Sequence, residues 1–289
     1  MATSVCNGAA TIINAIATGK GAAFGIGLET KATVELDGSG EIKGKIIGSP
    51  DEDTRLIELC VGNTLKYFGA KNGATIETES EIPIARGLKS SSTAANAAVL
   101  ATIGALKEGG KKIKISDTDI IKLGVKAALE AKVTITGAFD DASAAYFGGY
   151  VITDNKEMKI LKHAAMEELD IIVFVPDKKS YTKDFNIEAT KSIKESIEFA
   201  WGEALKGNIY EAMVTNGMLY SDALGYNPKI AKSAIDAGAL AAGLSGTGPA
   251  VVAVTKGNIE KIESAWKEFG GQLIETRVNN EKAGIIRMC

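Results

Sequence analysis

The sequence predicts an α+β fold in two lobes, and three observations carry that reading. Alternating apolar segments separated by turn residues gather in the first half, among segments whose apolar residues recur at helical spacing. The second half opens on a strongly apolar strand at residues 169–176, runs through three helical segments and closes on strands around one more helix. A chain of 289 residues with 45% hydrophobic and 24% charged residues can bury a core of that size. The seam between the lobes falls near residues 154–168, although no Pro- or Ser-rich linker marks it.

Each element has its own local reason. Residues 32–36 alternate, Asp37-Gly38-Ser39-Gly40 follows, and residues 41–47 complete a hairpin signature. Leu56, Ile57, Cys60, Val61, Leu65 and Phe68 stand at helical spacing, with Asp51 and Glu52 in the first turn. Residues 74–79 read as a strand and the alanine-rich residues 94–106 as a helix. Ser116 caps another helix ending near Lys132, and residues 144–153 read as a strand interrupted by Gly148-Gly149. In the second half, helices are expected at 187–205, 209–224 and 228–241, the last capped by Asn227. A strand at 250–255, a helix at 259–269 and strands at 272–278 and 285–287 follow.

Composition excludes several classes. A net charge of −3 leaves no basic footprint for nucleic acid. No apolar run approaches the roughly 20 residues that span a bilayer, and residues 1–6 lack the basic start and apolar stretch of a signal peptide. Cys6, Cys60 and Cys289 are odd in number and far apart, which argues against a disulfide framework and for a reducing cytoplasm. The single histidine, His163, excludes an HExxH zinc site, argues against a Ser-His-Asp hydrolase, and reads as a surface residue.

The most informative segment is Pro83 to Asn96, where a glycine and a serine cluster feed directly into the alanine-rich run. Serine is a good helix N-cap, so hydroxyls and backbone N–H groups crowd at the positive end of a buried helix. That arrangement suits an anion, phosphate above all. Neither standard nucleotide motif is present. Thr18-Gly19-Lys20-Gly21 fails as a Walker A because Gly21 replaces Ser/Thr and Asn14 replaces the first glycine, and Phe24 breaks a GxGxxG pattern starting at Gly19. Two further segments carry chemistry. Thr136-Gly137-Ala138-Phe139-Asp140-Asp141-Ala142-Ser143 sets paired carboxylates after a glycine, and with Glu130 and the serine hydroxyls it makes a hard oxygen set suited to Mg²⁺. Residues 243–250 hold three glycines with Ser245 and Thr247 interleaved, enough freedom for backbone N–H groups to wrap an anion.

Together these motifs resemble the GHMP superfamily of small-molecule kinases, which includes galactokinase, homoserine kinase, mevalonate kinase and phosphomevalonate kinase. Pro83, Gly87, Leu88, Ser90 and Ser91 match its PxxxGLxSSxA loop, and residues 243–248 match its glycine-rich third motif. Asp141 stands seven residues before Gly148, as an acid does in that family, and Glu130 stands eleven residues before Asp141, matching a Mg²⁺-binding Glu. The motifs run in order across the whole chain. Lys89 replaces the glycine of most members. Gly87-Leu88-Lys89-Ser90-Ser91-Ser92, Thr136 to Asp141, and Gly19 to Gly25 are similar to the archaeal-type shikimate kinase branch. The usual APGxxxxxGEH segment is missing, and residues 9–20 stand in its place.

The resemblance implies an N-terminal ribosomal-S5-like lobe over residues 1–155 and a C-terminal ferredoxin-like lobe over 156–289. It implies ATP-dependent phosphorylation of a shikimate hydroxyl, giving shikimate 3-phosphate and ADP in aromatic amino-acid biosynthesis. The nucleotide is expected against Pro83, Arg86, Gly87, Leu88, Lys89, Ser90, Ser91, Ser92, Thr93, Ala94, Gly246, Thr247 and Gly248. Ser91, with Ser90 as the alternative, and Glu130 are expected to hold Mg²⁺. Asp141 is expected to accept or orient the acceptor proton, Asp140 being the competing assignment, with Lys20 as a catalytic cation. Asn14, Lys20, Ser143, Ser245 and Arg277 are the substrate-binding expectations, although a strand-edge surface role also fits Arg277. The implied partner is a small molecule, not nucleic acid or membrane, and a homodimer is compatible with the resemblance. Homoserine kinase is the runner-up, and a non-catalytic metabolite sensor is the reading from another class.

Overall fold

The computed structural model describes residues 1–83, 87–176 and 187–288. Elements are numbered in chain order. The first sheet has seven strands: β1 (Ala2–Ile13), β2 (Lys20–Asp37), β3 (Ile42–Ile46), β4 (Gly73–Ser80), β5 (Tyr150–Asp154), β6 (Lys159–Ala164) and β11 (Gly284–Met288). They run in the order β11-β1-β2-β4-β3. The 18-residue β2 is long enough to serve two partners, β4 along Thr30–Asp37 and β5 along Lys20–Phe24, with β6 outside β5. Helices α1 (Arg55–Tyr67), α2 (Ser90–Glu108), α3 (Asp117–Glu130) and α4 (Phe139–Phe147) share one core with Ala2, Cys6, Ala9, Ala23, Ala32 and Val34 of this sheet. Within it α2 is buried on all sides from Ala95 to Leu106, and its small side chains let neighbouring backbones approach closely.

The second sheet is wholly antiparallel in the order β10-β7-β9-β8, made of β7 (Asp170–Val175), β8 (Ala241–Leu244), β9 (Val251–Thr255) and β10 (Gln272–Arg277). It shares a core with α5 (Lys194–Lys206), α6 (Ile209–Leu224), α7 (Lys229–Asp236) and α8 (Ile259–Trp266), and with Ala10, Ile12, Phe24 and Ile26 of the first sheet. β1 and β2 therefore supply both cores. Their side-chain alternation changes phase where the register shifts between Asn7 and Gly8: in β1 even positions face the helices before the shift and the second lobe after it, and in the antiparallel β2 the order is reversed.

Several expectations need correction. Residues 41–47 form no hairpin with 32–36: β2 pairs with β4, and β3 runs parallel to β4 at the sheet edge. Its half-exposed pattern with Lys43 and Lys45 outward suits an edge, whereas buried Ala74, Ile76 and Thr78 suit the inner place. Residues 144–147 belong to α4, not to a strand, and the chain turns into β5 only at Gly148 (φ 69°) and Gly149 (φ 61°). A short segment buried all round gives no period to separate helix from strand. β1, β6 and β8 were not expected at all. The division at 155/156 falls inside the first sheet, because β6 and β11 both join it. No helix among the described residues is long and apolar enough to cross a membrane.

Candidate functional site

The first turn of α2 is built around an unusual cap. Lys89, with φ 66° and ψ 26°, occupies the N-cap position that a serine was expected to fill, and Ser90, Ser91 and Ser92 form the first turn. Its carbonyl accepts the Thr93 N–H at 3.0 Å, which leaves the earlier N–H groups without an intrahelical acceptor. Gly87 (φ 84°) lies so close to the loop after β8 that an added Cβ would sit 2.3 Å from the Ser245 carbonyl oxygen. Only glycine fits there.

Three segments are sewn together at this point. Ser245 Oγ donates to the Gly87 carbonyl at 2.9 Å. The Gly246 N–H donates to Thr11 Oγ1 at 2.9 Å, and Asn14 Nδ2 to the Gly246 carbonyl at 2.8 Å. Asn14 is fixed in turn by Asn216 Oδ1 on its N–H and by the Tyr220 hydroxyl on its carbonyl. A cleft of about 480 Å³ opens over this floor, a volume suited to a small-molecule ligand. Lys89 to Ser92, Gly246 and Thr247 line it together with Thr30, Thr78, Leu56 and Ile57 and with residues 132–136, Asp140 and Asp141.

The two adjacent acids open α4 and point to different partners, as neighbouring helical residues must. Asp141 Oδ2 lies 3.0 Å from Lys89 Nζ, and its Oδ1 is buried without a partner. Asp140 Oδ1 accepts from Asn155 Nδ2 at 2.7 Å, and its Oδ2 occupies the space that Gly21 leaves by having no Cβ. Burial raises the proton affinity of both. For Asp141, Lys89 opposes that rise. For Asp140, burial and the Asp141 charge together push the carboxyl up to about 7, against the pull of Lys89 and Asn155. One acid is thus a counter-ion, and the other has the proton affinity of a general base at neutral pH.

The cleft gathers Asn14, Gly87, Lys89, Ser90, Ser91, Ser92, Ala94, Gly246, Thr247, Asp140 and Asp141 among the expected site residues. Arg86 lies outside the described residues. Leu88 and Thr93 are buried in the floor, Pro83 is outside the lining, and Gly248 packs against the Tyr226 ring. Ser245 is a buried stitch rather than a lining residue, and Ser143 is wholly buried in α4. Lys20 turns to Glu198 and lies 4.8 Å over the Trp201 ring, because the start of β2 faces α5. Arg277 is a surface residue, 82% exposed on β10 beside Asp170. Glu130 is exposed at the end of α3, where it accepts from Asn63 Nδ2 at 3.1 Å, and it does not line the cleft. No group of three His, Cys, Asp or Glu capable of holding a metal occurs among the described residues. Of the Ser91–Glu130 pair expected for Mg²⁺, Ser91 lines the cleft and Glu130 does not. Asn155, Thr11 and Tyr220 were missed: an Asn just after a strand reads as a turn residue, and nothing local ties it to an acid fifteen positions earlier.

Comparison with known proteins agrees with this arrangement. Residues 55–149 match the GHMP kinases N terminal domain, and residues 226–272 match GHMP kinases C terminal. The chain is 49% identical over 282 residues to a protein of Methanosarcina mazei named shikimate kinase, covering 96% of this chain and 94% of that one. A protein of the same name from Pyrococcus furiosus is 42% identical over 268 residues, covering 92% of this chain and 95% of its own. Among solved structures, the mevalonate kinase of Methanococcus jannaschii superposes with a TM-score of 0.75 at 19% identity, covering 96% of this chain and 98% of that chain. The galactokinase of Lactococcus lactis gives 0.75 at 13% identity, with 98% and 94% covered. The two glycine loops joined by Ser245 at the start of α2, the two family-model matches and 49% identity over 96% of the chain to a named kinase lead to one conclusion: the chain belongs to the GHMP kinase family and has its fold.

Proposed function

We propose that this chain transfers the γ-phosphoryl group of ATP to a hydroxyl of shikimate, giving shikimate 3-phosphate and ADP. The observation that carries the substrate is the 49% identity over nearly the whole chain to a protein named shikimate kinase. The geometry supports the transfer. Phosphoryl transfer has a loose transition state, so positioning and charge stabilisation do most of the work. The N–H groups opening α2 and the Lys89 ammonium supply that stabilisation at the cleft wall. Asp141 keeps Lys89 in place as its counter-ion. Asp140 takes the proton of the attacking hydroxyl, since its burial and its neighbour's charge leave it basic enough to do so near pH 7.

A coupled ADP-release assay on the purified chain, with ATP and shikimate, homoserine or mevalonate in turn, tests the reading. Release with shikimate alone is expected. Preference for homoserine or mevalonate, or ATP binding without release for any of the three, overturns it.

A further inference from the structure

We propose that Asn155, oriented by Thr153, is a positioning residue that aims the Asp140 carboxylate at the acceptor hydroxyl. The inference deepens the reading above and rests on Asp140 being the base. Thr153 is fully buried and its Oγ1 donates to Asn155 Oδ1 at 2.7 Å. With its oxygen so engaged, the Asn155 amide must turn its NH₂ to the other side, where Asp140 Oδ1 accepts it at 2.7 Å. The three groups form a directed chain, hydroxyl to amide to carboxylate, held in a buried environment where each bond is strong. Asn155 is 3% exposed and does not line the cleft, so it acts on the reaction only through Asp140. Its own seat is independent of that acid: the Asn155 N–H donates to the Gly19 carbonyl at 2.9 Å. On the other side of Asp140, Gly21 leaves room for Oδ2 but offers no side chain, so the amide is what sets the rotamer.

The charged and titratable groups around Asp140 are few. Asp141 adjoins it on α4, Lys89 faces it from the start of α2, and the Tyr220 phenol of α6 feels its charge. Asn155 is the neutral donor among them, and a donor to a carboxylate favours the ionised form. Removing the amide should therefore make Asp140 harder to ionise.

The test compares Asn155→Ala, Thr153→Val and Thr153→Ser with the unaltered chain. The acid limb of kcat/KM for the acceptor, at saturating ATP, should move to higher pH by about one unit in Asn155→Ala. Thr153→Val should shift it in the same direction by less, and Thr153→Ser, which keeps the hydroxyl, should restore the original midpoint. KM for ATP should hold steady. A folded Asn155→Ala with an unmoved midpoint overturns the proposal. If Asn155→Ala does not fold, equal midpoints in Thr153→Val and Thr153→Ser overturn it instead. Absence of turnover by the unaltered chain would count against the kinase reading, not this one. A carbon-13 titration of the Asp140 carboxyl, with and without the amide, then decides on the same shift.

Discussion

The Lys89 ammonium and Asp141 Oδ2 meet 3.0 Å apart, with only 9% and 10% of their side chains exposed, and so bind the first turn of α2 to the first turn of α4. Lys89 holds a left-handed backbone to do this, and Gly246 makes room: a Cβ there would stand 2.7 Å from Lys89 Nζ. A cation at the start of α2, an acid at the start of α4 and the glycine of a third segment thus depend on one another.

Breaking such a pair on one side leaves a buried charge alone. Lys89→Met or Asp141→Leu should each destabilise the fold by about 3–5 kcal/mol, and the double variant by clearly less than the sum. Urea unfolding of the four proteins measures the coupling, and additive losses would contradict a buried, mutually dependent pair.

The two glycine loops should tolerate nothing larger. Gly87→Ala would drive a methyl into the Ser245 carbonyl at a backbone φ of 84°, so stability should drop by at least about 1–2 kcal/mol and KM for ATP should rise. Gly38→Ala, where a Cβ meets nothing within 4 Å, should change neither. Thermal unfolding and ATP saturation curves of the two variants check this.

Asp140 also sets a pH dependence of stability. Its carboxyl binds protons more tightly folded than unfolded, so the fold carries no penalty from it below the unfolded value near 4. The penalty grows as pH rises and is complete above about 7, where the buried group is ionised. Asp140→Asn removes it. Its Tm should exceed that of the unaltered chain at pH 8 by about 2–6 °C, and the difference should close towards pH 4. A constant difference at both pH values would contradict a strongly raised Asp140.

How much of this was legible in the sequence depends on how far each signal reaches. α3 and α6 were found because a cap or a run of helical apolar spacing lies within a few residues, and Ser116 does accept the Asp119 N–H. β1 was not found: its alternation changes phase at Gly8 and both its faces are covered, so neither a clean period nor a polar side marks it. The loops at Gly87 and Gly246 were legible because glycine and serine are needed there for backbone reasons. The choice between Asp140 and Asp141 was not. The two differ only in what the fold brings to them, Asn155 across β5 and Lys89 from the start of α2. Spacing favoured Asp141; burial and pairing favour Asp140. Lys20 and Arg277 look alike in sequence as cations near motifs, and only the fold turns both away from the cleft.

The central claim is this division of labour, and one comparison tests it most directly: kcat with ATP and shikimate for Asp140→Asn beside Asp141→Asn, with ATP affinity measured on the same preparations. Asp140→Asn should lose about 10²–10⁴-fold in kcat while binding ATP as before. Asp141→Asn should retain more turnover and lose ATP affinity and stability instead, because it frees Lys89. The reverse pattern, with Asp140→Asn active and Asp141→Asn inert though folded and nucleotide-bound, would contradict it.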